Sequence, residues 1–184
     1  DFEDRNARLL SYDARDGHWA VYNDGTAAQK PPPLSALHPT RLRVPRGKSR
    51  WALHTSGDVF QKWGAMFMAQ LAGGGCYDAS AYGGIAFWAK GNTRIHVGVQ
   101  MIDQVRVEHG GVCRDASCPG GPLHPIDLVR EWRRHEISWN DLRARPVAAG
   151  FELDPARLSA LTVNLLPEDT PFDVWVDDVE FLPR

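Results

Sequence analysis

The chain has little cysteine, no surplus of either charge and no long apolar run. With 3 cysteines in 184 residues it is not a disulfide-built mini-protein, and at this length it can bury a core unaided. Its 21 basic and 23 acidic side chains nearly cancel. Such a field attracts neither nucleic acid nor an anionic membrane surface, so neither is expected as a partner. No apolar stretch approaches the length of a membrane-spanning helix. Three catalytic patterns are also missing: His-Glu-x-x-His, Gly-x-Ser-x-Gly and a phosphate-cradling glycine loop. Asp103, Glu108, Glu131 and Glu136 are present, but no spacing pairs two of them across a cleft as glycoside hydrolysis requires.

A sustained helical period is absent too. Short runs alternate with a period of two between Gly, Pro, Asn and Asp, which predicts strands. These are His18 to Tyr22, Arg50 to Thr55, Trp63 to Leu71, Gly84 to Lys90, Arg94 to Ile102, Arg133 to Trp139, Leu158 to Leu166 and Asp173 to Leu182. The expected fold is all-β, a two-sheet β-sandwich of the jelly-roll kind, in one domain over residues 1–184. Helix is limited to single turns at Asn140 to Arg143 and Asp154 to Arg157. Asp24 to Pro45 reads as a long surface loop. The chain opens at Asp1 without an initiator methionine, as a processed or excised piece would.

Cys113 and Cys118 lie close together in a Gly/Pro-rich segment and read as a local disulfide staple. Zinc would need two further ligands, and only His109 and His124 are near in sequence. The disulfide is the favoured reading, and it places the chain in an oxidising compartment: secreted or extracellular, at a cell surface or in a periplasm. Cys76 is left over and is expected to be buried as a small apolar residue.

Gly91-Asn92-Thr93 reads as a three-residue hairpin connection that pairs Lys90 with Arg94. Ile85, Phe87 and Ala89 then turn to the core with Ile95, Val97, Val99 and Met101. Trp88 falls opposite His96, and Ala86 opposite Gly98, on the outer face. An indole beside an imidazole over small residues would form an aromatic-walled groove, with Gln100 adding an amide. Such a groove suits a flat polar ligand. Otherwise Trp88 caps the outer sheet beneath the Cys113 to Cys118 loop. Tyr82 and Trp63 are secondary groove candidates, with Tyr77 beside them.

Two acidic clusters stand at the ends: Asp1-Phe2-Glu3-Asp4, and the Asp177-Asp178 pair within a strand-like run. A carboxylate pair in such a strand must meet positive charge. If the terminal segments lie side by side, the clusters join into one cation site. Otherwise the aspartates pair with neighbouring arginines.

Several of these segments resemble one known family. Asp78-Ala79-Ser80-Ala81-Tyr82-Gly83-Gly84-Ile85-Ala86-Phe87-Trp88-Ala89-Lys90-Gly91 resembles the D-x-S-x-Y-x-G-[LI]-x-F-W-x-K-G strand of galactose-binding-like jelly-roll modules. Glu131-Trp132 with Glu136 to Leu142, Asp154 to Leu165, Trp175-Val176-Asp177-Asp178-Val179, Asp1 to Asp4 and Trp63-Gly64 match further segments in the same order. The nearest likeness is to the β-glucan-binding modules of bacterial endoglucanases, and the complex I intermediate-associated chaperone domain shares much of the pattern. Lys62 and Leu165 stand where the glucan binders have tyrosines.

The resemblance implies a non-catalytic module that binds a β-glucan-like polysaccharide on a concave sheet. It would act as a monomer tethered to a catalytic or cell-surface domain. It also implies a structural Ca2+ held by Glu3 and Asp177 with peptide carbonyls near Lys48 to Arg50. Two other readings remain open at this point: a protein-interaction or assembly domain of the same fold, and a polysaccharide hydrolase or lyase.

Overall fold

A computed structural model describes residues 1–12, 14–33, 37–73, 75–115, 118–145, 152–168 and 170–184. Its strands are β1 (Trp19–Asn23), β2 (Gln29–Lys30), β3 (Thr40–Arg46), β4 (Ser49–Gly57), β5 (Ala65–Gln70), β6 (Tyr82–Gly91), β7 (Arg94–Met101), β8 (Leu123–Asp127) and β9 (Arg133–Ser138). The short helix α1 (Trp139–Arg143), β10 (Leu158–Leu165) and β11 (Phe172–Pro183) complete the order. The strands form two antiparallel layers. One runs β1-β5-β10-β7-β8, and the other β2-β4-β11-β6-β9 with β3 alongside β4.

Alternation in each strand builds the core. Phe67 from β5, Val97 from β7 and Val163 from β10 face Leu53 from β4, Phe87 from β6 and Val176 from β11, all of them buried. The single helical turns expected near Asn140 and Pro155 are present, as α1 and as a 3-10 turn over Pro155–Arg157. Ser138 caps α1 by accepting from the Asp141 amide, while its own N–H donates to Asp141 Oδ2.

Three sequence expectations need correction. The hairpin at residues 91–93 is not formed. β6 pairs with β11 and β9, β7 pairs with β10 and β8, and the chain crosses between the layers at this point. An arch and a hairpin send the same residues inward, so alternation alone does not separate them. Gly91 fits the crossing, because a Cβ there would lie 2.7 Å from the Asp173 carbonyl oxygen. Second, the supposed loop from Asp24 to Pro45 contains β2 and β3, while 34–36 lie outside the described residues. β3 reads Thr-Arg-Leu-Arg-Val-Pro-Arg, and its charges and proline mask a strand that belongs at a sheet edge. Third, Cys76 is exposed instead of buried.

Candidate functional site

The outer face of the five-stranded layer is built from the positions that alternate with the core. Three cross-strand rows run over it. Tyr22, Met66, Asn164, His96 and Pro125 stand in register, then Ala20, Met68, Thr162, Gly98 and Leu123. The third row sets Gln70, Ala160 and Gln100 side by side. At that end the face drops into a cleft of about 820 Å³. Tyr22, Met68, Gln70 and Gln100 contribute to its floor. Asp16, His18 and Gly73 bound one side, and Ile102, Arg106, His109 and Cys118 the other.

Local contacts fix the floor. Asn164 Nδ2 donates to the His96 carbonyl and to Thr162 Oγ1, both at 3.0 Å. Ser159 Oγ donates to the Gln100 carbonyl at 3.0 Å. The position of Gly98 is tight: a Cβ would sit 2.1 Å from the Pro122 carbonyl oxygen. Burial, and then the charge of Arg94, hold the His96 imidazole below the ordinary histidine value, so at neutral pH it adds no charge. The walls are braced as well. Gln104 accepts from the Met101 amide (2.9 Å) and donates to the Gly120 carbonyl (2.8 Å). Cys113 and Cys118 are bonded as expected, and Asp16 Oδ1 accepts from the Gly73 amide at 2.7 Å.

The residues singled out in the sequence divide between the two layers. Gln100 and His96 lie on this face. Trp63 stands just before β5 and is 43 % exposed. Asp24 Oδ2 brackets it by accepting from the Lys62 and Gly64 amides at 3.0 and 2.8 Å. The Asp24 carboxyl, partly desolvated yet bonded to Thr26 and these amides, is held well below the usual range.

Trp88 and Tyr82 belong to the six-stranded layer, so the expected Trp88–His96 groove does not exist. Trp88 is in register with Asp177 and Arg134, and its ring lies 4.6 Å beneath the Arg46 guanidinium carbon. Cys118 lines the cleft of the opposite layer. Tyr82 stacks on Phe181, and its carbonyl accepts the Trp139 indole N–H at 2.7 Å. Tyr77 is buried and stacks on the same phenylalanine. Leu165, matched to a tyrosine in the glucan binders, faces the core.

Tyr22, Met66, Met68, Gln70, Thr162 and Asn164 went unnoticed in the sequence. In Ala65–Gln70 both faces carry apolar residues, so the inward side was ambiguous. Size was the available signal, since Phe67 is the bulkiest member and points inward.

The two ends of the chain meet as expected. Ser49 Oγ donates to Asp177 Oδ2 at 2.5 Å and lies 3.5 Å from Glu3 Oε1. The positive charge, however, comes from an arginine. Arg46 Nη2 lies 2.8 Å from Asp177 Oδ2 and 2.5 Å from Asp178 Oδ2, and Asp177 is fully buried. β11 bulges here, and Asp178 takes a φ of 44° that lets the second carboxylate reach the same guanidinium. Near Lys48 to Arg50 the backbone turns amides to the site: Arg50 and Trp51 donate to Glu3 Oε1 at 2.6 and 2.9 Å. Among the described residues no three His, Cys, Asp or Glu side chains gather as a metal-holding group. Calcium needs six to eight oxygens, and this donor-rich arrangement does not fit it.

The two antiparallel layers form a β-sandwich whose fold is shared with solved carbohydrate-binding modules. A family 30 carbohydrate-binding module superposes with a TM-score of 0.62 at 16% identity, covering 98% of this chain and 96% of that one. The family 11 module of the cellulosomal cellulase Lic26A-Cel5E of Clostridium thermocellum gives 0.57 at 14%, covering 98% and 94%. A family 11 module from the same organism, in complex with a β-1,3-1,4-mixed-linked tetrasaccharide, gives 0.54 at 14%, covering 90% and 88%. At these identities the likeness defines the fold. No protein-family model matches the chain, and no curated protein matches it significantly.

Proposed function

We propose that this chain is a non-catalytic carbohydrate-binding module that holds a β-glucan-like polysaccharide on the outer face of its five-stranded layer. The carrying observation is the cleft of about 820 Å³ whose floor sets Gln70, Gln100 and Met68 beside Tyr22. Amides and hydroxyls both donate and accept, as sugar hydroxyls require. Tyr22 and the two methionines offer apolar surface to the C–H faces of a pyranose. The attached enzyme or surface protein would gain effective concentration on its substrate by tethering. A fold-mate is solved with a mixed-linkage tetrasaccharide, and that ligand is the first to test.

The local disulfide supports a site of action outside the cytoplasm. In our reading Arg46 meets the charge of Asp177 and Asp178, Ser49 and the Arg50 and Trp51 amides hold Glu3, and the junction needs no calcium. The test of function is titration calorimetry with mixed-linkage β-glucan. Tyr22→Ala should weaken binding about tenfold, a loss of about 1.4 kcal/mol. If Tyr22→Ala binds like the parent while Trp88→Ala does not, the face has been misassigned.

A further inference from the structure

The end of the sandwich beside β1 is closed by the N-terminal segment. The Trp19 amide donates to the Ala7 carbonyl at 2.7 Å, and the Leu9 amide to the Gly17 carbonyl at 2.9 Å. Between this segment and β11, just past the bulge after Asp177, lies a cavity of about 90 Å³. Leu9, Val179 and Phe181, all half-buried, line it. Trp19 and Leu161 reach it from the core and keep 4% and 6% of their surface accessible. Leu161 points inward from β10, whereas its neighbour Thr162 belongs to the outer face. The cavity is therefore separate from the cleft, and its ligand does not depend on the carbohydrate reading.

The rim is charged and the interior is not. Arg8 and Arg15 stand there with Asp1 and Glu180. Glu180 is spent on Arg134 at 2.9 Å, which leaves one carboxylate beside two guanidinium groups. Neither arginine has an ion-pair partner among the described residues. Arg15 is held in place: its guanidinium carbon lies 5.5 Å from the centre of the Tyr77 ring and 5.6 Å from that of Phe181. Its Nε donates to the Tyr12 carbonyl at 3.2 Å, and both terminal nitrogens stay available. A planar fork of this kind matches a carboxylate. An apolar cavity of about 150 Å³ takes a benzene ring, so this smaller one has room for about three or four carbons.

We propose that this cavity takes a short aliphatic carboxylate, its chain against Leu9, Leu161, Val179 and Phe181 and its charge on the Arg8 and Arg15 side. Each methylene removed from water strengthens binding about fourfold. The charge-assisted hydrogen bonds from Arg15 fix which end of the ligand faces outward.

The test titrates straight-chain carboxylates, from acetate to octanoate, into the protein labelled at its leucine and valine methyl groups. Affinity should rise about fourfold per methylene as far as pentanoate and then level off. The methyl signals of Leu9, Leu161 and Val179 should shift and show cross-relaxation with the ligand chain. 1-Pentanol on the parent, and pentanoate on the Arg15→Gln variant, should each bind about tenfold more weakly than pentanoate on the parent. Arg15 also packs on Tyr77 and Phe181, so the alcohol comparison decides where that variant does not fold. Silent methyl groups, equal affinity for pentanol and pentanoate, or affinity still climbing at octanoate would each overturn the proposal.

Discussion

Arg46 gathers the charge of the closing strand. Its guanidinium meets Asp177 and Asp178 and lies over Trp88 and Trp132. Desolvation opposes its charge, yet hydrogen bonds to both aspartates prevail and raise its pKa. Removing one partner of a buried ion pair strands the other, at a cost of about 3–5 kcal/mol. Arg46→Gln should therefore lower the unfolding free energy from a urea titration by that much, whereas adding a chelator to the parent should leave it unchanged. A chelator-induced loss of stability would return the clasp to calcium. Trp88→Ala should cost about 1–3 kcal/mol of stability and leave glycan affinity intact, because its ring serves Arg46 and not the cleft.

At the scale of elements, the sequence revealed strand identity better than strand partners. The alternation in Gly84 to Lys90 and Arg94 to Ile102 placed each inward residue correctly. It gave no information on whether β6 and β7 lie side by side or face each other across the core. Side-by-side strands would set Trp88 opposite His96, but the two occupy opposite surfaces. The terminal clusters were legible because carboxylates inside an apolar strand demand a partner. That the partner was Arg46 was hidden within an arginine-rich edge strand. Gln100 and His96, both singled out in the sequence, lie on the outer face of the five-stranded layer, whereas the Met66–Met68–Gln70 series could not be read there, since thioethers look like core. Gly98 now carries a specific expectation. Gly98→Ala forces a methyl group against the Pro122 carbonyl, which should cost about 1–3 kcal/mol as overpacking does. It should also weaken glycan binding through the neighbouring Gln100, as calorimetry on the folded variant would reveal.

Across the whole molecule the balance of charge sets the response to pH and salt. His96, His124 and His135 are all held below the ordinary histidine value, chiefly by burial and next by Arg94, Arg145 and Arg133. The fold thus favours their neutral forms. Their contribution is fully present above the unfolded value of about 6.5 and is lost as the pH falls through the lower folded values. The thermal midpoint should drop on going from pH 7 toward pH 5, and a flat profile over that range would count against these half-buried imidazoles. Binding itself should change little with ionic strength, because the floor of the cleft carries no free charge.

The proposed ligand face is the outer surface of the five-stranded layer. Its most direct test is a chemical-shift titration of the isotopically labelled chain with the mixed-linkage tetrasaccharide. The largest shifts should fall on Tyr22, Met68, Gln70 and Gln100, with Trp88, Trp132 and Trp175 unmoved. Shifts centred on those three tryptophans, with the Gln70–Gln100 cleft silent, would contradict it.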